Sequence, residues 1–371
     1  MTFKPKFTIT NEILNNLTAI AAGREVIKHA RLIPQWEIKL RRMALIHSTH
    51  ASTAIEGNRL NLSQVEALAE GKTVVATSKD KQEVLNYLAA LEKIPSLAKK
   101  KAFSVDMLLE MHRLVTAKIL EKNKCGVFRS VQVFVGRRVF DGTGFKEEVE
   151  YMPPDAHEVP LLAREFIGWL NTDDAWKINS VILAGISHYE VARIHPFVDG
   201  NGRTARLLAT AVLYASGFDP RRFFALDDFY DSDRKGYYAA LKTVDKDKRD
   251  LTEWLEYFTE GVLFSVNAVK DSIEKIGIKS KAGGDPQIAL TPRQMQIIEY
   301  IVKNGKATNR DFQALFKISA QAVHKELTKL IAFFGPNRPW SRSKSATITE
   351  HSGHRHGPNR PPFRLISVTL T

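Results

Sequence analysis

Apolar residues recur every three to four positions along most of this chain, which predicts a mainly α-helical protein. From Gln35 to Ala54, Trp36, Leu40, Met43, Leu45 and Ile46 make one apolar stripe. A second helix opens at Ser63, where Ser63 and Glu66 read as a capping box ahead of Val65, Leu68 and Ala69, and Gly71 suits the C-terminal cap. The same patterning predicts helices at about 80–94, 104–120, 156–171, 174–193, 203–216, 234–243 and 248–277. Ser130 to Tyr151 breaks the pattern. Val131, Val133 and Val135 alternate with Gln132 and Phe134, Asp141-Gly142-Thr143-Gly144 turns, and Glu148 to Tyr151 follows, so a β-hairpin is expected, packed on the helical body.

The pattern changes again past residue 278. Lys279 to Pro286 is rich in Lys, Gly and Ser, and a linker is drawn at 279–288. Beyond it, Thr291-Pro292 opens a helix through Ile301, a second runs from about Thr308 to Phe316, and Ser319 caps a third to about Phe333. With a turn at Lys317–Ser319 these fit a helix-turn-helix in which Gln321, His324 and Lys325 face a DNA groove. Three short helices are also a common packing unit, and on pattern alone both readings stay open. From Gly335 the chain is rich in Pro, Arg, Ser and His and ends on Leu365, Ile366, Val368 and Leu370, compatible with a wing strand or an unstructured tail. His351, His354 and His356 have no partner cluster and read as polar tail rather than a metal site.

Composition sharpens this division. The 371 residues, 44% hydrophobic and 26% charged, suffice for two or three ordinary domains. Cys125 is the one cysteine, which excludes an internal disulfide and cysteine-rich zinc sites. No apolar leader or run of about eighteen apolar residues occurs, so a cytoplasmic protein without a membrane span is expected. Residues 270–371 hold 17 Lys+Arg against 7 Asp+Glu, ten of the thirteen net positive charges. A basic module on a nearly neutral body makes DNA an expected partner, with a solvated basic tail as the alternative.

The densest chemistry lies at residues 195–206: His195-Pro196-Phe197-Val198-Asp199-Gly200-Asn201-Gly202-Arg203-Thr204-Ala205-Arg206. Apolar helical patterns flank the run, so it reads as a loop entering a helix, whose N-terminal N–H groups favour an anion. His195 is its only base near neutral pH. Asp199 is a hard oxygen ligand suited to Mg²⁺ on a polyphosphate. Gly200, Asn201 and Gly202 let backbone approach a nucleotide, and Arg203 and Arg206, three residues apart, can neutralise phosphates from one helix face.

This run resembles the signature of the Fic family (Fic/Doc superfamily) at every defining position, and the resemblance covers roughly residues 35–270. It implies a helical catalytic core that transfers AMP from ATP to a Ser, Thr or Tyr hydroxyl of a protein, releasing pyrophosphate. His195 would be catalytic, Asp199 would hold Mg²⁺, and Gly200, Asn201, Gly202, Arg203 and Arg206 would bind ATP. The phosphorylating Doc subclass has lysine where this chain has Gly202, which favours AMP transfer. Ser52-Thr53-Ala54-Ile55-Glu56-Gly57 resembles the family's inhibitory motif, which implies that Glu56 pairs with Arg206 and misplaces the γ-phosphate. At the end of its helix Glu56 faces an unfavourable macrodipole that a cation would offset. The resemblance also implies that the flap at Val131, Val133, Val135 and Gly136 docks a target segment by strand pairing. Tyr237-Tyr238 stands where relatives pack aromatics on the adenine; adjacent helical residues face apart, so at most one meets the base, and core packing remains open. The expected domains are an N-terminal helical region at 1–103 carrying the 52–57 motif, a catalytic core at 104–278, and a winged-helix-like module with a basic tail at 289–371. The target is not legible; self-modification and a homodimer are compatible. Two alternatives stay open: a DNA-binding regulator whose Fic domain senses nucleotide, and an enzyme that also removes AMP.

Overall fold

In a computed structural model, the structure describes residues 3–30, 32, 34–98, 102–140, 142, 144–219, 221–245, 247–283, 291–304, 306–334, 346–353 and 363–370. The chain divides into two units, residues 1–28 with 41–271, and residues 29–40 with 272–371. The elements up to residue 283 are α1 (Asn11–His29), α2 (Pro34–Ile55), α3 (Leu62–Ala69), α4 (Ser78–Leu97), α5 (Val105–Thr116), β1 (Val135–Phe140), β2 (Phe145–Tyr151), α6 (Val159–Leu170), α7 (Asp173–Lys177), α8 (Ser180–Ile194), α9 (Asn201–Ala215), α10 (Asp227–Ser232), α11 (Arg234–Lys242) and α12 (Thr252–Gly283). Among the described residues no helix is long and apolar enough to cross a membrane.

The first unit is built around α8. Twelve of its fifteen residues are buried, from Val181 to Ile194, the polar Ser187, His188 and Glu190 among them. Trp254 of α12 donates its indole N–H to the Gly185 carbonyl at 2.9 Å, which locks the long helix onto α8. Helix α9 follows α8 through the loop 195–200, so the two central helices present that loop at one end.

Several boundaries differ from the sequence reading, each for a local reason. Helix α1 carries no wide apolar stripe: its buried positions are Ile13, Ile20, Gly23 and Ile27, and Gly23 is the place where Val266 packs. The cap of α3 is Asn61, not Ser63; the Asn61 side chain accepts from the Gln64 backbone N–H, and the Gln64 side chain accepts from the Asn61 backbone. Gly71 does end that helix, at φ +74. The helix expected at 174–193 is two helices, because the Asn179 side chain accepts from the Val181 N–H and starts α8 afresh. The hairpin begins at Val135 rather than Val131; residues 131–134 are irregular, and their carbonyl and amide oxygens are bound by the Arg129 side chain instead of a partner strand. β1 and β2 pair antiparallel, with a register shift at Val135/Gly136.

The linker expected at 279–288 is helical through Gly283 in α12, and 284–288 lie outside the described residues. The second unit holds α13 (Pro292–Asn304), β3 (Lys306–Thr308), α14 (Asn309–Phe316), α15 (Ala320–Phe334), β4 (Ala346–Gly353) and β5 (Phe363–Leu370). Its core gathers Ile297, Ile298, Ile301, Phe312, Val323, Leu327 and Leu330. Lys317, at φ +53, ends α14, and the Ser319 hydroxyl accepts from the Ala322 N–H to start α15. The three strands form an antiparallel sheet in the order β3-β5-β4, so part of the C-terminal segment is strand. His354 and His356 lie outside the described residues, and His351 is placed only as backbone of β4.

Candidate active site

The loop that joins α8 to α9 is held by its own polar side chains. The Asn201 carboxamide accepts from the Phe197 N–H and donates to the Phe197 carbonyl, both at 2.9 Å, closing the loop into a ring. Gly200 sits at φ +78 with Thr116 directly against it: a Cβ there would lie 2.8 Å from Thr116 Cγ2. His112 of α5 stacks flat on Phe197 at 3.7 Å between ring centres. Its Nδ1 accepts from the Gly126 N–H at 2.8 Å, so Nε2 carries the proton and donates to the Asp199 carbonyl at 2.9 Å. Burial lowers the His112 pKa to about 4, which keeps that tautomer neutral.

His195 closes α8 in the left-handed region, at φ +49. Its Nδ1 lies 3.2 Å from the Ala192 carbonyl, which leaves Nε2 as the ring's free nitrogen. Burial lowers the His195 pKa; the Ala192 hydrogen bond and Glu56 pull it upward and Arg129 pushes it down. The imidazole is therefore neutral at neutral pH, the state a base requires.

The two signature arginines differ in setting. Arg203 is buried and lies behind the cavity rather than on it, with NH2 3.3 Å from Asp199 Oδ1 and NH1 3.4 Å from Glu83 Oε1. Among the described residues its Nε and NH1 have no hydrogen-bond partner. Asp199 is half-exposed and its Oδ1 also accepts from the Gly200 N–H, which leaves Oδ2 without a hydrogen bond among the described residues. Arg206, 1% exposed, is surrounded: Nε donates to Ser52 Oγ at 2.8 Å, and NH2 donates to the Ser52 carbonyl at 2.9 Å and to Glu56 Oε1 at 2.8 Å. A second carboxylate, Asp227 of α10, approaches Nε at 3.4 Å from the buried side. Burial works against the Arg206 charge, but Glu56, with Tyr237, Tyr87 and Asp227 around it, holds it charged well above the ordinary range. Burial pushes the Asp227 carboxyl up to about 7.

Glu56, Asp199, Gly202, Arg206 and His195 line one cavity of about 950 Å³. That volume is at the upper end of small-molecule sites, about 300–1,000 Å³. The hairpin residues Val135, Gly136, Glu150 and Tyr151 form one wall, and Tyr237, Tyr238 and Lys242 of α11 another. Lys242 reaches across to Glu150 at 2.6 Å. Gly202 lies directly under Glu56; a Cβ on it would stand 2.3 Å from Glu56 Oε1. The two tyrosines do face apart. Tyr237 is buried among His188, Tyr230 and Trp254, with its hydroxyl 3.0 Å from His188 Nε2, whereas Tyr238 is 38% exposed. Val131 and Val133 are absent from the cavity wall, unlike Val135 and Gly136.

Sequence reasoning missed Asp227, Glu83, His112 and Arg129. Only Asp227, in the Asp227-Asp228 pair beside apolar Leu226 and Phe229, left a trace, since a carboxylate inside an apolar run invites a buried partner. The others gain their roles from contacts 66 to 120 residues away, beyond any local pattern.

Comparison with known proteins agrees with this geometry. Residues 102–213 match the model of the Fic/DOC family. The chain is 31% identical over 265 residues to protein adenylyltransferase fic-1 of Caenorhabditis elegans, spanning 70% of this chain and 47% of that protein. It is 33% identical over 208 residues to protein adenylyltransferase Fic of Nematostella vectensis, spanning 54% and 45%. The chain thus spans about half the length of these curated relatives. A solved Fic family protein from Desulfovibrio desulfuricans G20 superposes on all of this chain and 98% of its own, with a TM-score of 0.60 at 23% identity, which speaks to fold. A solved segment of C. elegans Fic-1 superposes on 72% of this chain and 73% of its own, with a TM-score of 0.57 at 26% identity. The signature loop and the hairpin both fall inside residues 102–213, the stretch that matches the Fic/DOC family model, and the superposed structures share the fold around them.

Proposed function

We propose that this chain transfers AMP from ATP to a hydroxyl of a protein, and that Glu56 restrains the transfer. The supporting observation is the gathering of His195, Asp199, Gly202, Arg206 and Glu56 on a single cavity beside the hairpin. In this reading His195 Nε2 takes the proton of the target hydroxyl. The oxygen attacks the α-phosphorus, the bond from that phosphorus to the bridging oxygen breaks, and pyrophosphate leaves. N–H groups at the start of α9 and the Arg206 guanidinium stabilise the charge on the phosphates. Arg203, set behind Asp199, holds that carboxylate through NH2, while Glu83 faces its NH1. Asn201 serves the site by closing the loop.

The donor set fits one Mg²⁺. Asp199 has a free carboxylate oxygen on the cavity, and no cluster of three protein ligands occurs among the described residues, which suits a cation that takes one carboxylate and completes its shell with phosphates and water. When bound, the cation would neutralise the phosphates held over the loop. Tyr238, exposed on the cavity, is the better adenine contact of the tyrosine pair, and Tyr237 serves the core. A target segment would pair along β1 at Val135 and Gly136. ATP labelled on the α-phosphate tests the reaction. The Glu56→Gly chain should label itself or protein in cell extract from the α position and never from the γ position, and His195→Ala should abolish it. Label from the γ position would exclude AMP transfer.

A second reading concerns the C-terminal unit. Helices α13 to α15 and the sheet β3-β5-β4 have the order of a winged helix, with Gln321 and Lys325 exposed on α15. We read it as a DNA-binding module. Full-length chain should shift duplex DNA in a gel at low salt, weakening steeply as salt rises, and Lys325→Ala should reduce the shift.

A further inference from the structure

The side chain of Arg129 has an unusual set of partners. It lies on the segment between α5 and the hairpin and is 3% exposed. Its Nε donates to the His195 carbonyl at 2.8 Å. NH1 donates to the Val131 carbonyl at 3.2 Å and to the Gln132 amide oxygen at 3.3 Å, and NH2 donates to the Pro154 carbonyl. The Arg129 backbone N–H reaches the Pro196 carbonyl at 2.9 Å. Gln132 in turn donates to the Pro153 carbonyl at 3.0 Å. No carboxylate pairs with Arg129 among the described residues. A buried arginine is ordinarily matched by an acid, because an unpaired charge is costly away from water. Here four of the fork's five N–H donors go to neutral oxygens of three segments: the carbonyl of His195, and the two legs of the hairpin at residues 131–132 and 154.

Those three segments have to be in register for the reaction proposed above. His195 holds a left-handed backbone, which residues with a side chain adopt uncommonly. The hairpin legs fix where Val135, Gly136 and Tyr151 stand on the cavity wall. A planar five-donor fork is the side chain able to set all three distances at once, which a point-like ammonium is not.

We propose that Arg129 is a positioning residue that ties the seat of the target-docking hairpin to the orientation of His195, so that strand pairing by a target and alignment of the base are one event. This rests on the AMP-transfer reading. His195 is faced by Arg129, by the Glu56 and Asp199 carboxylates and by the Ala192 carbonyl, so the Arg129 charge also contributes to keeping the imidazole neutral.

The test uses the full chain in the Glu56→Gly background, with Arg129→Lys and Arg129→Gln. Three quantities are read: label transferred from α-labelled ATP, ATP affinity by calorimetry, and the His195 imidazole titration by NMR. Arg129→Lys keeps the charge and loses the fork; transfer should fall on the order of 10- to 100-fold, the cost of a small misplacement, with ATP affinity within about twofold and the His195 midpoint unmoved. Arg129→Gln should lose as much transfer and also raise the His195 midpoint. Hydrogen exchange should speed up together in the hairpin and in residues 195–201 for both variants. Full transfer by Arg129→Lys overturns the proposal. So does a parallel loss of ATP affinity, which marks general collapse of the loop. Should Arg129→Gln fail to fold, Arg129→Lys decides alone. If the parent labels nothing, the AMP-transfer reading falls, while the titration and exchange still decide whether Arg129 links hairpin and histidine.

Discussion

Replacing Glu56 isolates a single contact whose size can be worked from the geometry. Glu56 Oε1 accepts from Arg206 NH2 at 2.8 Å, with the carboxylate 26% exposed and the guanidinium 1% exposed. A charge-assisted hydrogen bond of this kind contributes about 1.5–3 kcal/mol. Arg206 is not stranded when Glu56 goes, because Asp227 and Ser52 remain on it, so the penalty for an unpaired buried charge does not add to that figure. At about 1.4 kcal/mol per tenfold, the contact restrains Arg206 by roughly 10- to 150-fold. Glu56→Gly should therefore raise initial AMP transfer by about that factor, measured as label from α-labelled ATP at saturating nucleotide. Glu56→Gln keeps the volume over Gly202 and loses the charge, so it should fall between wild type and Glu56→Gly. Stability should fall by only about 0.5–2.7 kcal/mol, since an anion at the end of α2 opposes the helix dipole by about 0.3–1 kcal/mol and its loss offsets part of the lost pair. The reasoning is refuted if both variants transfer AMP at the wild-type rate while His195→Ala remains inactive.

Four further outcomes follow from the same geometry. Burial lowers the His195 pKa below its ordinary 6.5, so AMP transfer by Glu56→Gly should hold steady across neutral pH and decline only below that value; an acid limb above it in the rate profile would contradict the assignment. Asp227 titrates near 7 when folded against about 4 unfolded, so its stabilising contribution is complete at low pH and is lost as pH rises to about 7. Asp227→Asn removes that dependence, and its melting temperature relative to wild type should climb between about pH 4 and pH 7. Gly200→Ala forces φ +78 on a side chain and drives it against Thr116, which should cost about 1–3 kcal/mol in denaturant unfolding and abolish ATP binding. His112→Phe keeps the stack on Phe197 but leaves the Gly126 N–H and the Asp199 carbonyl unsatisfied; about 1–3 kcal/mol per buried group is the expected loss, seen as a lower urea midpoint.

What was legible in the sequence is what depends on neighbours. The cap at Gly71, the end of α14 at Lys317 and the helix after Gly200 follow from residues within one turn, and the structure has all three. The twelve-residue run was legible because a base, a carboxylate, glycines and arginines in one loop leave little else for the loop to do. Its inner division of labour was not. Asn201 and Arg203 look like ligands in a linear reading, but Asn201 spends its amide on Phe197 and Arg203 is drawn behind the cavity by Glu83, 120 residues upstream. The hairpin shows the same limit. Val131 to Val135 alternate as a strand should, but alternation is silent about competitors for the backbone. The Arg129 fork takes the carbonyl oxygen of Val131 before a partner strand can.

Arg206 shows why a restraint at this position is removable. A guanidinium 1% exposed needs a standing counter-ion, because burying an unmatched charge costs several kcal/mol. Were Glu56 the only anion, removing it would strand Arg206 and damage the loop, and the restraint would be part of the fold. Asp227 separates the two roles. It sits 4% exposed on the far side of the guanidinium and stays when Glu56 leaves, whereas Glu56 is on the cavity where a phosphate would arrive. As pH rises through about 7 the buried acid ionises and supports the arginine, while the cavity acid competes with substrate for it. The strength of the restraint is then set by one half-buried hydrogen bond against one phosphate contact of the same kind. On this reading a modest shift at the end of α2 releases the site without disturbing anything beneath it.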